Sequence, residues 1–186
     1  VDEVSMKIRD VDTGEDLDFE LPTNRYYGAT FSPDASYIVY TKFSAEGPRT
    51  YYHRMGTDLS EDTMIFGEGY GPEKILFVGI SPNGKWFLAT VLHGSAGGRD
   101  IYISPAGTSP DWQPVIADGV TQSFAVFADD TLLITTNLDA PKSRVMKASA
   151  TAPGVENWTE LIPEQEDAVL QGAQPLGGYV AASYLK

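Results

Sequence analysis

Ile80-Ser81-Pro82-Asn83-Gly84-Lys85-Trp86-Phe87-Leu88-Ala89-Thr90-Val91-Leu92 is the stretch that decides the fold. Pro82 presets φ for a turn, and Asn83-Gly84 tolerates the positive φ of a tight hairpin. The run from Trp86 to Leu92 is then almost continuously apolar. A half-exposed strand alternates, so a continuous run predicts a strand buried on both faces.

The same arrangement recurs along the chain. Phe31-Ser32-Pro33-Asp34 precedes Tyr37-Ile38-Val39-Tyr40, and Phe127-Ala128-Asp129-Asp130 precedes Leu132-Leu133-Ile134. Gln174-Pro175-Leu176-Gly177-Gly178 precedes Tyr179-Val180-Ala181-Ala182. Ser81 lies 49 residues after Ser32, Ala128 lies 47 after Ser81, and Gln174 lies 46 after Ala128. A repeat of about 45–50 residues with four short strands per unit is the signature of a β-propeller. The predicted fold is all-β, with four-stranded antiparallel blades. Each unit reads as a first strand, the turn, a buried second strand, a more polar third strand such as Arg99-Asp100-Ile101-Tyr102-Ile103, and a short outer strand. Whole blades are expected at 26–67, 75–117 and 122–163. A half-blade at 4–21 supplies strands three and four of an earlier blade, and one at 168–185 supplies strands one and two of a later blade. The whole of 1–186 reads as one partial propeller domain. One short helical turn is expected, at Glu164-Gln165-Glu166-Asp167.

Composition narrows the function. The 186 residues carry a net charge of −13. Such a surface repels phosphate backbones and anionic lipid, so neither nucleic acid nor membrane is an expected partner. An acidic face also steers basic ligands, although a merely solvated surface accounts for the same charge. No apolar run is long enough to span a bilayer as a helix, and Val1-Asp2-Glu3-Val4 has no signal-peptide pattern. With no cysteine there is neither disulfide nor thiolate metal site.

Ser95 has Gly97 two residues on but His93 two residues before, so a Gly-x-Ser-x-Gly elbow is incomplete. His93 to Gly98 reads instead as the hairpin between strands two and three. His53 and His93 sit in different units without metal-ligand spacing, and His53 among tyrosines reads as a hydrogen-bonded packing residue. The acids at Asp10, Asp12, Glu15, Asp16, Glu61, Asp62, Asp129, Asp130 and Glu164 to Asp167 fall at turns, where Asp is favoured anyway. Asp129-Asp130 lacks the spacing of a calcium loop. Tyr26, Tyr27, Tyr51, Tyr52, Trp86, Phe87, Trp112 and Trp158 read as core and inter-blade packing rather than a ligand platform. No catalytic residue, cofactor or metal is expected.

Three blocks carry a family resemblance. Tyr51-Tyr52-His53-Arg54-Met55-Gly56-Thr57 runs into Ser60-Glu61-Asp62. Thr136-Asn137 is followed by Ala140-Pro141 and Arg144, then by Glu156-Asn157-Trp158 and Leu161-Ile162-Pro163-Glu164. The third block is Gly177-Gly178-Tyr179-Val180-Ala181-Ala182-Ser183-Tyr184-Leu185-Lys186. Together they resemble the N-terminal propeller of the prolyl oligopeptidase family, nearly over the whole chain and in order. Sister oligopeptidases share the Gly-Thr block. The resemblance implies a parent serine peptidase whose Ser-Asp-His triad sits on a separate α/β-hydrolase domain, in the cytoplasm or periplasm. The propeller, seven-bladed when whole, then lies over the active site and admits only short peptides. It further implies that two positions, Glu68 and Ser183, face the substrate pocket. Family members often carry apolar or thiol groups there, so these polar residues depart from the pattern. A free-standing propeller that binds peptides or proteins is the other reading of the same repeat. The terminal half-blades are expected to close against each other, most readily between two copies in a homodimer, with 179–185 beside 5–11.

Overall fold

The computed structural model describes residues 3–24, 28–95 and 97–186. Tyr26, Tyr27, the first residues of the 26–67 unit and Ala96 lie outside the described residues. Among the described residues, sixteen strands form five antiparallel sheets, all built from sequence neighbours. β1 (Val4–Arg9) and β2 (Asp16–Asn24) make a hairpin. β3 (Gly28–Phe31), β4 (Tyr37–Ser44), β5 (Gly47–Arg54) and β6 (Thr63–Phe66) make the first four-stranded sheet. β7 (Ile75–Ile80), β8 (Trp86–Leu92), β9 (Arg99–Pro105) and β10 (Gln113–Ile116) make the second. β11 (Phe124–Ala128), β12 (Thr131–Thr136), β13 (Arg144–Ser149) and β14 (Thr159–Ile162) make the third. β15 (Val169–Leu176) and β16 (Tyr179–Leu185) make a second hairpin. The two hairpins are separate two-stranded sheets.

The second strands show why their sequences run apolar. On β8, Phe87, Ala89 and Val91 are completely buried against Val39 and Ile65 of the preceding sheet. The alternate residues Trp86 and Leu88 pack the other way, on the cluster that holds Leu132, Ile134 and Met146 of the following sheet. β12 repeats the device: Leu132 and Ile134 face back, while Leu133 joins Leu170 and Ala173 of the C-terminal hairpin. On β4, Ile38 and Tyr40 cover Leu21 of the N-terminal hairpin, and Val39 covers the next sheet. In each four-stranded sheet the second strand is thus the filling between two neighbours. At about 25 cal/mol per Å² of apolar area, burial on both sides makes these strands large contributors to stability.

Two expectations need correction, and a third needs completing. The third strands carry more polar residues than the second, yet are not the less buried for it: Ile101, Ile103 and Val145, and with them Thr50 and His53, are as buried as anything in the second strands. Residues 164–167 are not helical. Glu164 accepts from Lys142 N and the Glu166 carbonyl accepts from Lys142 Nζ, so this segment is strapped across the β12–β13 hairpin instead of bonding to itself. The short helical turns are 3-10 turns elsewhere, at Leu59–Glu61 and Val155–Asn157. Finally, the turn after the first strand recurs in place but not in build. Ser32 and Ser81 open matching wider turns, in which each serine N–H donates to the carbonyl five residues on, at 2.9 Å in both. The later two are tight two-residue turns, Asp129-Asp130 and Gly177-Gly178, directly between paired strands.

Candidate functional site

Antiparallel order puts the loops of each sheet at two ends. One end carries the turn between strands one and two and the loop between three and four. The other carries the two–three hairpins and the connections to the next sheet. Neighbouring sheets are aligned end to end. On the first end, Asp130 Oδ1 accepts from Asn83 Nδ2 at 2.9 Å and Trp86 Nε1 at 3.0 Å. On the second, Arg99 N donates to the Thr121 carbonyl at 2.9 Å, and Gln122 Nε2 donates to that of Gly97 at 2.6 Å.

Glu68 sits on the second end, in the connection that follows β6, and is exposed. It lines a hollow of about 250 Å³ with Met64, Phe66, Tyr70 and Trp112, beside the outer strand. Ser183, also exposed, pairs with Gly172 near the end of β16. It lines a different hollow, of about 610 Å³, with Phe124, Gly172 and Gln174. The two positions share one end of the sheets but open on separate spaces.

The connection bearing Glu68 is well anchored. Arg49 Nη1 donates to the Tyr70 carbonyl at 3.0 Å, and Tyr70 OH donates to Tyr102 OH at 3.3 Å. Burial, then the bond to Tyr102, raises the Tyr70 phenol well above its ordinary value. Gly47 lies so close that a Cβ there would sit 2.2 Å from the Tyr70 carbonyl oxygen. That approach, with φ at +117°, leaves only glycine at the start of β5.

The histidines have distinct surroundings. His53 is fully buried on β5, its Nδ1 2.6 Å from Asp62 Oδ1 and its ring stacked on Phe19 at 4.5 Å. Tyr40 OH donates to the other oxygen of Asp62 at 2.5 Å. His53 Nε2 is buried without a hydrogen-bond partner. The Tyr-Tyr-His and Ser-Glu-Asp segments therefore form one tie: the loop from 55 to 62 is folded back so that Asp62 reaches β4 and β5. Asp58 starts this fold by accepting from Ser60 N at 2.9 Å. His93, at the head of the β8–β9 hairpin, lies between Lys74 and Asp100. Sequence reading treated it as a lone histidine, because its partners are 19 residues before and 7 after. Ser95 is an exposed residue of that hairpin, and the strand β9, not a helix, follows it.

The turn acids bond locally. Asp10 accepts from Asp12 N and Thr13 N, and Asp34 accepts from the Ser32 and Ser36 hydroxyls. Among the described residues, no three of His, Asp and Glu are grouped to hold a metal ion. Trp112 stacks on Phe87 and meets Phe66 at a tilt between the first two sheets, and Trp86 and Trp158 pack on the core between the second and third.

Four-stranded meanders stacked through their inner strands, with loops gathered at two ends, define a segment of a β-propeller. The family model described as the prolyl oligopeptidase N-terminal beta-propeller domain matches residues 1–186, and the chain belongs to that family. It is 25% identical over 191 residues to a prolyl endopeptidase of Elizabethkingia meningoseptica, covering 96% of this chain and 26% of that one. It is 26% identical over 202 residues to prolyl oligopeptidase A of Galerina marginata, covering 95% and 27%. Among solved structures, a prolyl endopeptidase superposes over all of this chain and 29% of its own, with a TM-score of 0.88 and 24% identity. Prolyl oligopeptidase B of Galerina marginata, bound to a 35mer hydrolysis and macrocyclization substrate, gives a TM-score of 0.83 at 18% identity, over 99% of this chain and 28% of that one. At these identities the superpositions speak for the fold. The chain spans about a quarter of the length of the relatives it matches.

Proposed function

We propose that residues 1–186, with units at 4–21, 26–67, 75–117, 122–163 and 168–185, act as the substrate-filtering propeller segment of a prolyl-oligopeptidase-type serine peptidase. The match of the family model along the entire chain carries this reading. The peptide bond is cut by an α/β-hydrolase domain elsewhere in the parent. The end bearing the two–three hairpins faces that domain, and Glu68 and Ser183 look toward short peptides held between the two. The blades exclude folded proteins by size.

The test uses the full-length parent and this chain side by side. Internally quenched peptides of about 10 residues and an unfolded protein of about 100 residues, each with Gly-Pro bonds, are offered to both. The parent is expected to cleave the short peptides only, and this chain to cleave neither. Equal turnover of both lengths by the parent overturns the filter. A source reading frame without a Gly-x-Ser-x-Gly hydrolase domain favours the free-standing interaction module instead.

The terminal hairpins are the surface a homodimer would use, with β16 of one copy beside β1 of the other. A light-scattering mass at twice 20.2 kDa, and a cross-link between cysteines placed at Met6 and Val180, support it. A monomeric mass overturns it.

A further inference from the structure

The Lys74–His93–Asp100 cluster has no part in the function proposed above. Lys74 ends the connection that carries Glu68, and its Nζ lies 3.1 Å from His93 Nδ1. An ammonium group only donates, so Nδ1 must be the bare, accepting nitrogen. His93 Nε2 lies 2.7 Å from Asp100 Oδ2 and therefore carries the ring proton and donates it. The neutral Nε2–H tautomer follows from these two contacts. Asp100 Oδ1 accepts from Gly119 N at 2.8 Å, which ties the next connection to the same group. The side chains of Lys74, His93 and Asp100 are 22%, 24% and 9% exposed, so water competes weakly for these contacts.

We propose that this cluster is a proton-operated latch. A proton added at Nδ1 removes the acceptor that Lys74 uses and sets two cations face to face. Lys74 then leaves, and the connection from 67 to 74 loosens. The imidazolium remains, because Asp100 stays bonded to it, while the exposed Glu73 carboxylate, 3.5 Å from Lys74 Nζ, moves away with Lys74. The Tyr70 phenol, which feels the Asp100 charge, is raised by burial and by its bond to Tyr102 and stays neutral throughout. Imidazole is the side-chain type that changes charge between pH 5 and 8. The direction follows from the geometry: the latch is closed while Nδ1 is bare and opens as acid adds a proton there. On the reading proposed above, acid thereby loosens the surface that carries Glu68.

The experiment needs only this chain. Nitrogen-15 NMR at pH 8 is expected to show His93 as the Nε2–H tautomer. Amide exchange at 69–74, corrected for its intrinsic pH dependence, is expected to speed up about tenfold between pH 8 and pH 5. Lys74→Met and Lys74→Gln are each expected to erase that difference, while β12 and β13 stay protected. An Nδ1–H tautomer at pH 8, exchange at 69–74 that ignores the protonation of His93, or variants that keep the wild-type pH dependence would each overturn the latch. Loosening spread evenly over β12 and β13 is global unfolding and also overturns it. None of these readouts depends on peptidase function.

Discussion

Asp62 shows how much one side chain can organise. It accepts from both Tyr40 and His53 with its own side chain nearly buried. Asp62→Ala removes the carboxylate that both donate to, and is expected to cost about 2–3 kcal/mol in urea unfolding. Asp34 gives a pH prediction. The Ser32 hydroxyl, then the backbone and hydroxyl of Ser36, hold its carboxyl at about 2 instead of 3.8. A carboxyl lowered in the folded state stabilises the fold above the ordinary carboxylate range. That contribution is lost as pH falls from about 4 through the folded value. Carbon-13 titration is expected to place the Asp34 midpoint near 2, and Ser32→Ala to move it upward. Both residues were legible as turn acids. Their partners were not: Tyr40 lies 22 residues from Asp62, a distance that only strand pairing closes.

Among the elements, strands were readable and their ends were not. The apolar runs located β4, β8 and β12, because burial on both faces leaves a dense signature. The 3-10 turn at Leu59–Glu61 left a signal that went unused: Asp58 accepts from Ser60 N while Glu61 reaches back to Asp58 N at 3.4 Å. The run 164–167 reads as a helical turn from its side chains alone, whereas in the fold Lys142 N takes the Glu164 carboxylate and Lys142 Nζ takes the Glu166 backbone carbonyl. The position of Ser183 near the end of β16 was set by register, which a sequence does not print. The wider turns permit a test. Gly84, at φ +73°, occupies the place that Ala35 fills at φ +55° in the preceding unit. A Cβ in the left-handed region costs about 1 kcal/mol. Ala35→Gly is therefore expected to gain a few tenths to about 1 kcal/mol in urea unfolding, after the added freedom of glycine in the unfolded chain is set against the relief. A loss of stability would show that φ at this position is not strained.

For the molecule as a whole, protection should follow position in the stack. β12 and β13 lie between two neighbouring sheets, whereas Leu176, Tyr179 and Leu185 of the last hairpin are 67%, 80% and 62% exposed. Native-state exchange is expected to be slowest on β8, β12 and β13 and fastest on β1–β2 and β15–β16. Uniform protection would indicate that the hairpins are covered, as a homodimer would cover them. Family membership needed no structure, since the repeat and three blocks stated it. Separate hollows at Glu68 and Ser183 did need one.

Because every sheet pairs only strands adjacent in the chain, its making needs no distant partner. Loop closure is short throughout, which favours fast folding for an all-β protein. On a ribosome adding about 5–20 residues each second, the roughly 40 residues of a sheet emerge in about 2–8 s. Each new sheet can therefore be complete before the next exists. Until then its uncovered apolar face, such as Leu133 awaiting Leu170, is the adhesive surface of the nascent chain. The interval between synthesis of one sheet and the next is the period in which this protein is most open to aggregation.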